Sequence, residues 1–451
     1  MNGLPSDLDA DRQPPLSIPF AHFVLGGVVL LVGGAIAGVG SLVAPIRPAG
    51  AGTLHLLLAG WVALTIMGAM TQFVPVWSGT KLYSRRLSVV SLWLVTVGVV
   101  ALFLAFVTRA YDWLALGASV LLVGFWTFVY NVARTLPSVA DLDVTEAHFA
   151  LALGSLVVAT VLGWLLATDF GYRILDPLSR SLPIPVPLSA PQVLLAHLTL
   201  TVFGFVLATI IGALYQLAPM FTQSETTALD AHLTHVEMVA FPVGVPLLAA
   251  GRLVASRPIG TAGAALLLVG TTAFAAFLAR RLWLARVEAD PMLRRYALVA
   301  LSLFGWVLLS APRWIGDPLD FYARFGSPGA THLLFVGVFT LTIVGTVYHV
   351  VPFVVWYHRY SDRLGYEPVP MVDDLYDERV ALAEFALLAL GLAILWGGDV
   401  LAAPTWVLMF GGNLLGLGVL LFAWNMAGVV WRHRPETFRE IVRTLVGRSV
   451  V

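Results

Sequence analysis

The run HLLFVGVFTLTIVGTVYHVVP, His332 to Pro352, decides how this chain is read, because the chain contains it more than once. HLLLAGWVALTIMGAMTQFVP, His55 to Pro75, has the same frame: a histidine, a glycine five residues on, a glycine thirteen on and a proline twenty on. HLTLTVFGFVLATIIGALYQLAP, His197 to Pro219, keeps the G-x3-Q-x2-P ending, and its histidine lies two residues further from that ending. A helix of about 20 apolar residues crosses a bilayer, so each copy is a membrane span with a histidine toward one end.

Composition agrees with that reading. Of 451 residues, 59% are hydrophobic and 12% charged, whereas soluble domains carry about 25% charged residues. The expected fold class is therefore all-α, an integral, multi-pass membrane protein. Twenty-six basic and 26 acidic residues cancel, so no global charge favours nucleic acid. The absence of cysteine excludes disulfides, thiolate metal sites, iron–sulfur clusters and covalent c-type haem, leaving His, Met, Tyr and carboxylates as metal ligands.

The hydropathy pattern predicts about twelve spans, near 19–43, 53–77, 86–108, 112–134, 146–168, 192–219, 233–251, 258–285, 294–312, 328–356, 380–398 and 404–430. They form one transmembrane domain over 18–431, between an N-terminal tail, 1–17, and a basic C-terminal tail, 432–451. Arginines and lysines gather after the second, eighth, tenth and twelfth spans, which puts both termini in the cytoplasm and the protein in the cytoplasmic membrane. The opposite stretch, Arg173 to Pro191, is rich in Pro and Ser and is expected to be an irregular cap. The polar loop near 357–379 reads as a solvated connector or a docking surface.

The repeat falls on the second, sixth and tenth spans, four apart, so the three copies cross in one direction. That period predicts three four-helix arcs in a pseudo-threefold arrangement. At the histidine end, His55 and His332 share one register position. Their imidazoles suit axial ligation of a haem iron, and two of them make a six-coordinate, low-spin site. Gly60 and Gly337 follow, removing bulk where a macrocycle or a neighbouring helix would press. His197 is off register by two residues, open to a copper, a haem edge or no role. His22, His148, His232 and His235 read as interfacial residues. At the other end Gln72, Gln216 and His349 are equivalent, preceded by Thr71, Tyr215 and Tyr348. These positions, with Glu384, form an inner polar path for protons or a set of interfacial polar residues. Glu384 itself is a proton relay or a snorkelling carboxylate. Asn131, Asn413 and Asn425 are expected to make helix–helix hydrogen bonds.

These segments resemble the catalytic subunit I of haem-copper oxidases, in particular the cbb3-type oxidases and their nitric oxide reductase relatives. His55-x4-Gly60-Trp61 resembles the second-helix segment that supplies one low-spin haem ligand. The run from His332, with Gly345-x2-Tyr348-x3-Pro352, resembles the tenth-helix segment that supplies the other. The resemblance implies the three arcs, a bis-histidine haem b, and an electron donor, protein or quinol, with small accessory subunits. The chain also departs from that family. Ala330 stands where the family has the high-spin haem ligand, and Thr199 stands in the register of its sixth-helix copper ligand. No histidine pair lies at the outer end of the seventh span, where His232 and His235 are at the wrong end. The GGDVLAAPTW loop lacks the arginine pair that holds haem propionates, leaving Arg47 or Arg313 as substitutes.

The expected function is therefore electron transfer, or a redox- or gas-linked role in respiration or nitrogen-oxide metabolism, with no catalytic residue assigned. Two alternatives stand beside it: a twelve-helix transporter without cofactor, and an oxidase or nitric oxide reductase with a displaced metal centre.

Overall fold

The computed structural model describes residues 17–43, 47–181, 188–288 and 290–433. It is 86% helical, and no strand occurs among the described residues. Twelve helices are long and apolar enough to cross a membrane. They are α1 (Ser17–Ile36), α2 (Gly50–Trp77), α3 (Arg85–Thr108), α4 (Tyr111–Ala133), α5 (Val144–Tyr172) and α6 (Ala190–Thr222). The others are α7 (Ala228–Leu253), α8 (Arg257–Trp283), α9 (Pro291–Gly316), α10 (Leu333–Tyr357), α11 (Glu378–Val400) and α12 (Thr405–His433). A bilayer is thus the medium of this protein, because backbone groups in hydrocarbon must be paired within the segment and a helix does that.

Helix ends follow local chemistry. Ser84 caps α3, its hydroxyl accepting from the Leu87 N–H, and Asp143 with Glu146 makes a capping box at the start of α5. Arg109 and Arg173 close α3 and α5 in left-handed conformation (φ 57° and 52°). The stretch expected to be an irregular cap contains a short helix, Leu175–Ser181, in which Asp176 and Arg180 are an exposed ion pair one turn apart. Its residues 182–187, like the tails 1–16 and 434–451, lie outside the described residues.

Contacts group the chain into two compact units. The first gathers α1, as far as Gly33, with α2 to α5. There Asn131 clamps α4 to the start of α3, donating to the Ser84 carbonyl (3.0 Å) and the Ser88 hydroxyl (2.8 Å). The second gathers α6 to α12 from Leu175 on. Here α7 and α8 pack almost backbone to backbone: a Cβ on Gly270 would stand 2.6 Å from the Phe241 Cβ. Asn425 ties α12 to α10 and to the loop before α11, donating to Tyr348 Oη (3.2 Å) and the Asp377 carbonyl (2.9 Å). Asn413, by contrast, faces outward on α12 and makes no helix–helix hydrogen bond among the described residues.

Candidate functional site

The three repeat copies share a backbone feature that sequence pattern does not reveal. In each, the α-helix widens into a π-helical segment at the same register: Leu56–Val62 in α2, Leu200–Leu207 in α6 and Leu333–Thr340 in α10. The residues just before these segments are His55, Thr199 and His332. Wide turns of this kind are rare and concentrate at functional sites.

In the first unit, His55 is half-buried, and its Nδ1 donates to the Ala51 carbonyl one turn back (2.8 Å). Its ring stacks on Phe106, with centroids 6.1 Å apart and planes 23° apart. Since a carbonyl only accepts, Nδ1 carries the proton, and the lone pair is on Nε2. Gly60 is required by a neighbouring helix: a Cβ there would meet Val29 Cγ1 of α1 at 2.6 Å.

In the second unit, His332 is also half-buried. Its Nδ1 donates to the Asp399 carboxylate at the end of α11 (2.6 Å). A carboxylate on one ring nitrogen is the arrangement that fixes tautomer and orientation for metal-ligating histidines. Gly337 again lies against a neighbour, as a Cβ would come within 2.7 Å of Ser302 Cβ on α9. Ala330 is fully buried in the short turn Pro328–Ala330 that leads into α10.

The third copy is built differently. Thr199 donates to the Leu195 carbonyl (2.6 Å) and accepts from Arg252 Nη1 (2.8 Å), so its hydroxyl is committed. Arg252 is fully buried on α7. It also donates to the carbonyls of Pro318 (3.0 Å) and Arg324 (3.0 Å) and lies over the Trp314 ring. A guanidinium therefore fills the histidine register of this copy and ties α6 and α7 to the segment before α10. His197, two residues earlier, is half-buried.

At the opposite end of the repeats the equivalent residues diverge. Gln72 is buried with its Oε1 unpartnered, Gln216 is exposed, and His349 packs edge-on against Phe221 at 4.2 Å. Tyr215 is buried between Phe274 and Phe277. Glu384 does not snorkel: it is fully buried and ion-paired with Arg295 of α9, whose guanidinium lies 4.7 Å over the Tyr348 ring. Among the other histidines, His22 and His148 are buried, each bonded through Nδ1 to the carbonyl four residues back (2.8 Å), and His232 and His235 are exposed on α7.

Among the described residues, no three His, Asp or Glu side chains converge so as to hold a metal ion. Arg313 makes a loose ion pair with Asp320 (3.9 Å), and the Arg47 side chain lies outside the described residues. Sequence reasoning missed Asp399, Arg252 and Arg295. The available signal was a lone carboxylate or guanidinium in an otherwise apolar helix end, which demands a partner. No protein family and no curated protein matches this chain.

Proposed function

We infer that the chain is a haem b membrane protein of the haem-copper oxidase subunit I type, with His55 and His332 as axial ligands. The supporting observation is the state of the two imidazoles, each within its own unit. Both commit Nδ1 as donor, to Ala51 and to Asp399, and both leave the Nε2 lone pair that haem iron takes. This donor set fits the group. Both histidines also open a π-helical segment, and the third copy carries the Thr199–Arg252 bond at that register. On this reading the twelve spans form three four-helix arcs with both termini in the cytoplasm.

Bound haem supplies one-electron chemistry, and bis-histidine ligation leaves no open position on iron for oxygen or nitric oxide. The role that follows is electron transfer or redox sensing. Asp399 holds the His332 ring in one orientation and keeps the proton on Nδ1. It also balances positive charge that develops on the imidazole. The Ala51 carbonyl orients His55 without adding charge, so the two ligands differ in basicity. Purified His55→Ala and His332→Ala proteins should each lose the six-coordinate low-spin spectrum, whereas His197→Ala should keep it. An unchanged spectrum in either of the first two overturns the assignment.

A further inference from the structure

The wedge between α9, α10 and α11 holds a row of buried polar atoms without partners. Arg295 and Glu384 are both fully excluded from solvent. Arg295 also donates to the carbonyls of Pro291 (2.7 Å) and Ala381 (2.9 Å), yet its Nε and the Oε1 of Glu384 have no partner. Two hydroxyls, Thr342 on α10 and Ser302 on α9, are likewise buried and unpartnered. That is unusual in this protein. Thr65, Thr199, Thr209 and Thr271 all turn the hydroxyl back onto the carbonyl four residues earlier (2.6–2.8 Å). Thr65 and Thr209 hold the position of Thr342 in the other two copies of the repeat, so the unpartnered hydroxyl is particular to this copy.

The row has a direction. Ser302 lies seven residues, about 10 Å, along α9 from Arg295 and touches α10 at Gly337, five residues from His332. Along α10, Thr342 falls between Gly337 and Gly345, the glycine that packs on Arg295. Toward the other end the packing is closed. The Tyr348 hydroxyl is bonded to Asn425, Asn425 to Asp377, and the Tyr348 ring is pressed between Tyr376 (5.2 Å) and Phe422 (5.7 Å). Facing Glu384 are Arg295 from α9 and Tyr348 from α10, while α12 approaches with Gly418 and the turn Pro328–Ala330 has no titratable group. Burying a polar group without a partner is costly, and bonding to water relieves that cost.

We propose that Glu384 is a one-sided proton-binding site. It exchanges protons through water bonded to the Thr342 and Ser302 hydroxyls, toward the His332 end, and Tyr348 with Asn425 shuts the other end. The carboxylate takes a proton from a hydronium in that column and returns it by the same route. Arg295 balances the charge while Glu384 is ionised. The site needs no haem and stands apart from the assignment of His55 and His332.

Infrared difference spectroscopy of the purified full-length protein, titrated and then moved into D2O, tests this. A protonated carboxyl band should appear on acidification, vanish in Glu384→Gln and shift in Glu384→Asp, the latter identifying it if the Gln protein does not fold. Its deuterium exchange should slow at least about tenfold in the double variant Ser302→Ala/Thr342→Val and keep its rate in Tyr348→Phe. No titrating band from Glu384, an exchange rate unchanged in the double variant, or a rate lowered by Tyr348→Phe overturns the proposal.

Discussion

Asp399 shows how much one side chain can decide. A histidine near a helix end is chemically ambiguous, and a carboxylate 2.6 Å from Nδ1 removes the ambiguity by fixing which nitrogen is the donor. Asp399→Asn should therefore weaken haem retention by about 10- to 100-fold, measured as the rate of haem loss to an acceptor apoprotein. Unaltered retention would mean that the pair only fastens α11 to α10. Arg252 is the structural counterpart at this scale. Arg252→Met strands the Thr199 hydroxyl and the carbonyls of Pro318 and Arg324, and should lower stability by about 1–3 kcal/mol in a thermal unfolding series, without changing any haem spectrum. The histidines were legible in the sequence because they recur at one register. Asp399 was not, because its partner is 67 residues away and no local pattern links them.

Among the elements, hydropathy alone placed all twelve spans, eleven of them to within about five residues at either end, since a bilayer selects for length and apolarity and for little else. The π segments were invisible: a wider turn changes hydrogen-bond register without changing composition. The short helix Leu175–Ser181 was invisible too, as seven residues containing Pro177 lack the periodicity that announces a longer helix. Sequence did mark the glycines of the repeat, and the structure gives their reason as close helix approach. Gly337→Ala pushes a methyl into Ser302 and should cost about 1–3 kcal/mol, seen as a lower unfolding temperature. Gly412→Ala meets nothing within 4 Å and is the control expected to leave that temperature unchanged.

For the molecule as a whole, an even number of spans returns the chain to the side it started from, and the proposed orientation, read from the basic loops, makes that side the cytoplasm. Fusions of a compartment-sensitive reporter to either terminus should both report the cytoplasmic side, and a split result would contradict the orientation. The repeat carries the larger claim, that two of its three copies hold a haem iron and the third has exchanged its ligand position for the Thr199–Arg252 bond. The most direct measurement is the optical spectrum of the purified, detergent-solubilised protein, oxidised and then reduced with dithionite. A bis-histidine haem b should give a low-spin b-type spectrum, with a Soret band that shifts and sharp visible bands that appear on reduction. Protein with no Soret band after expression under haem-replete conditions would contradict it.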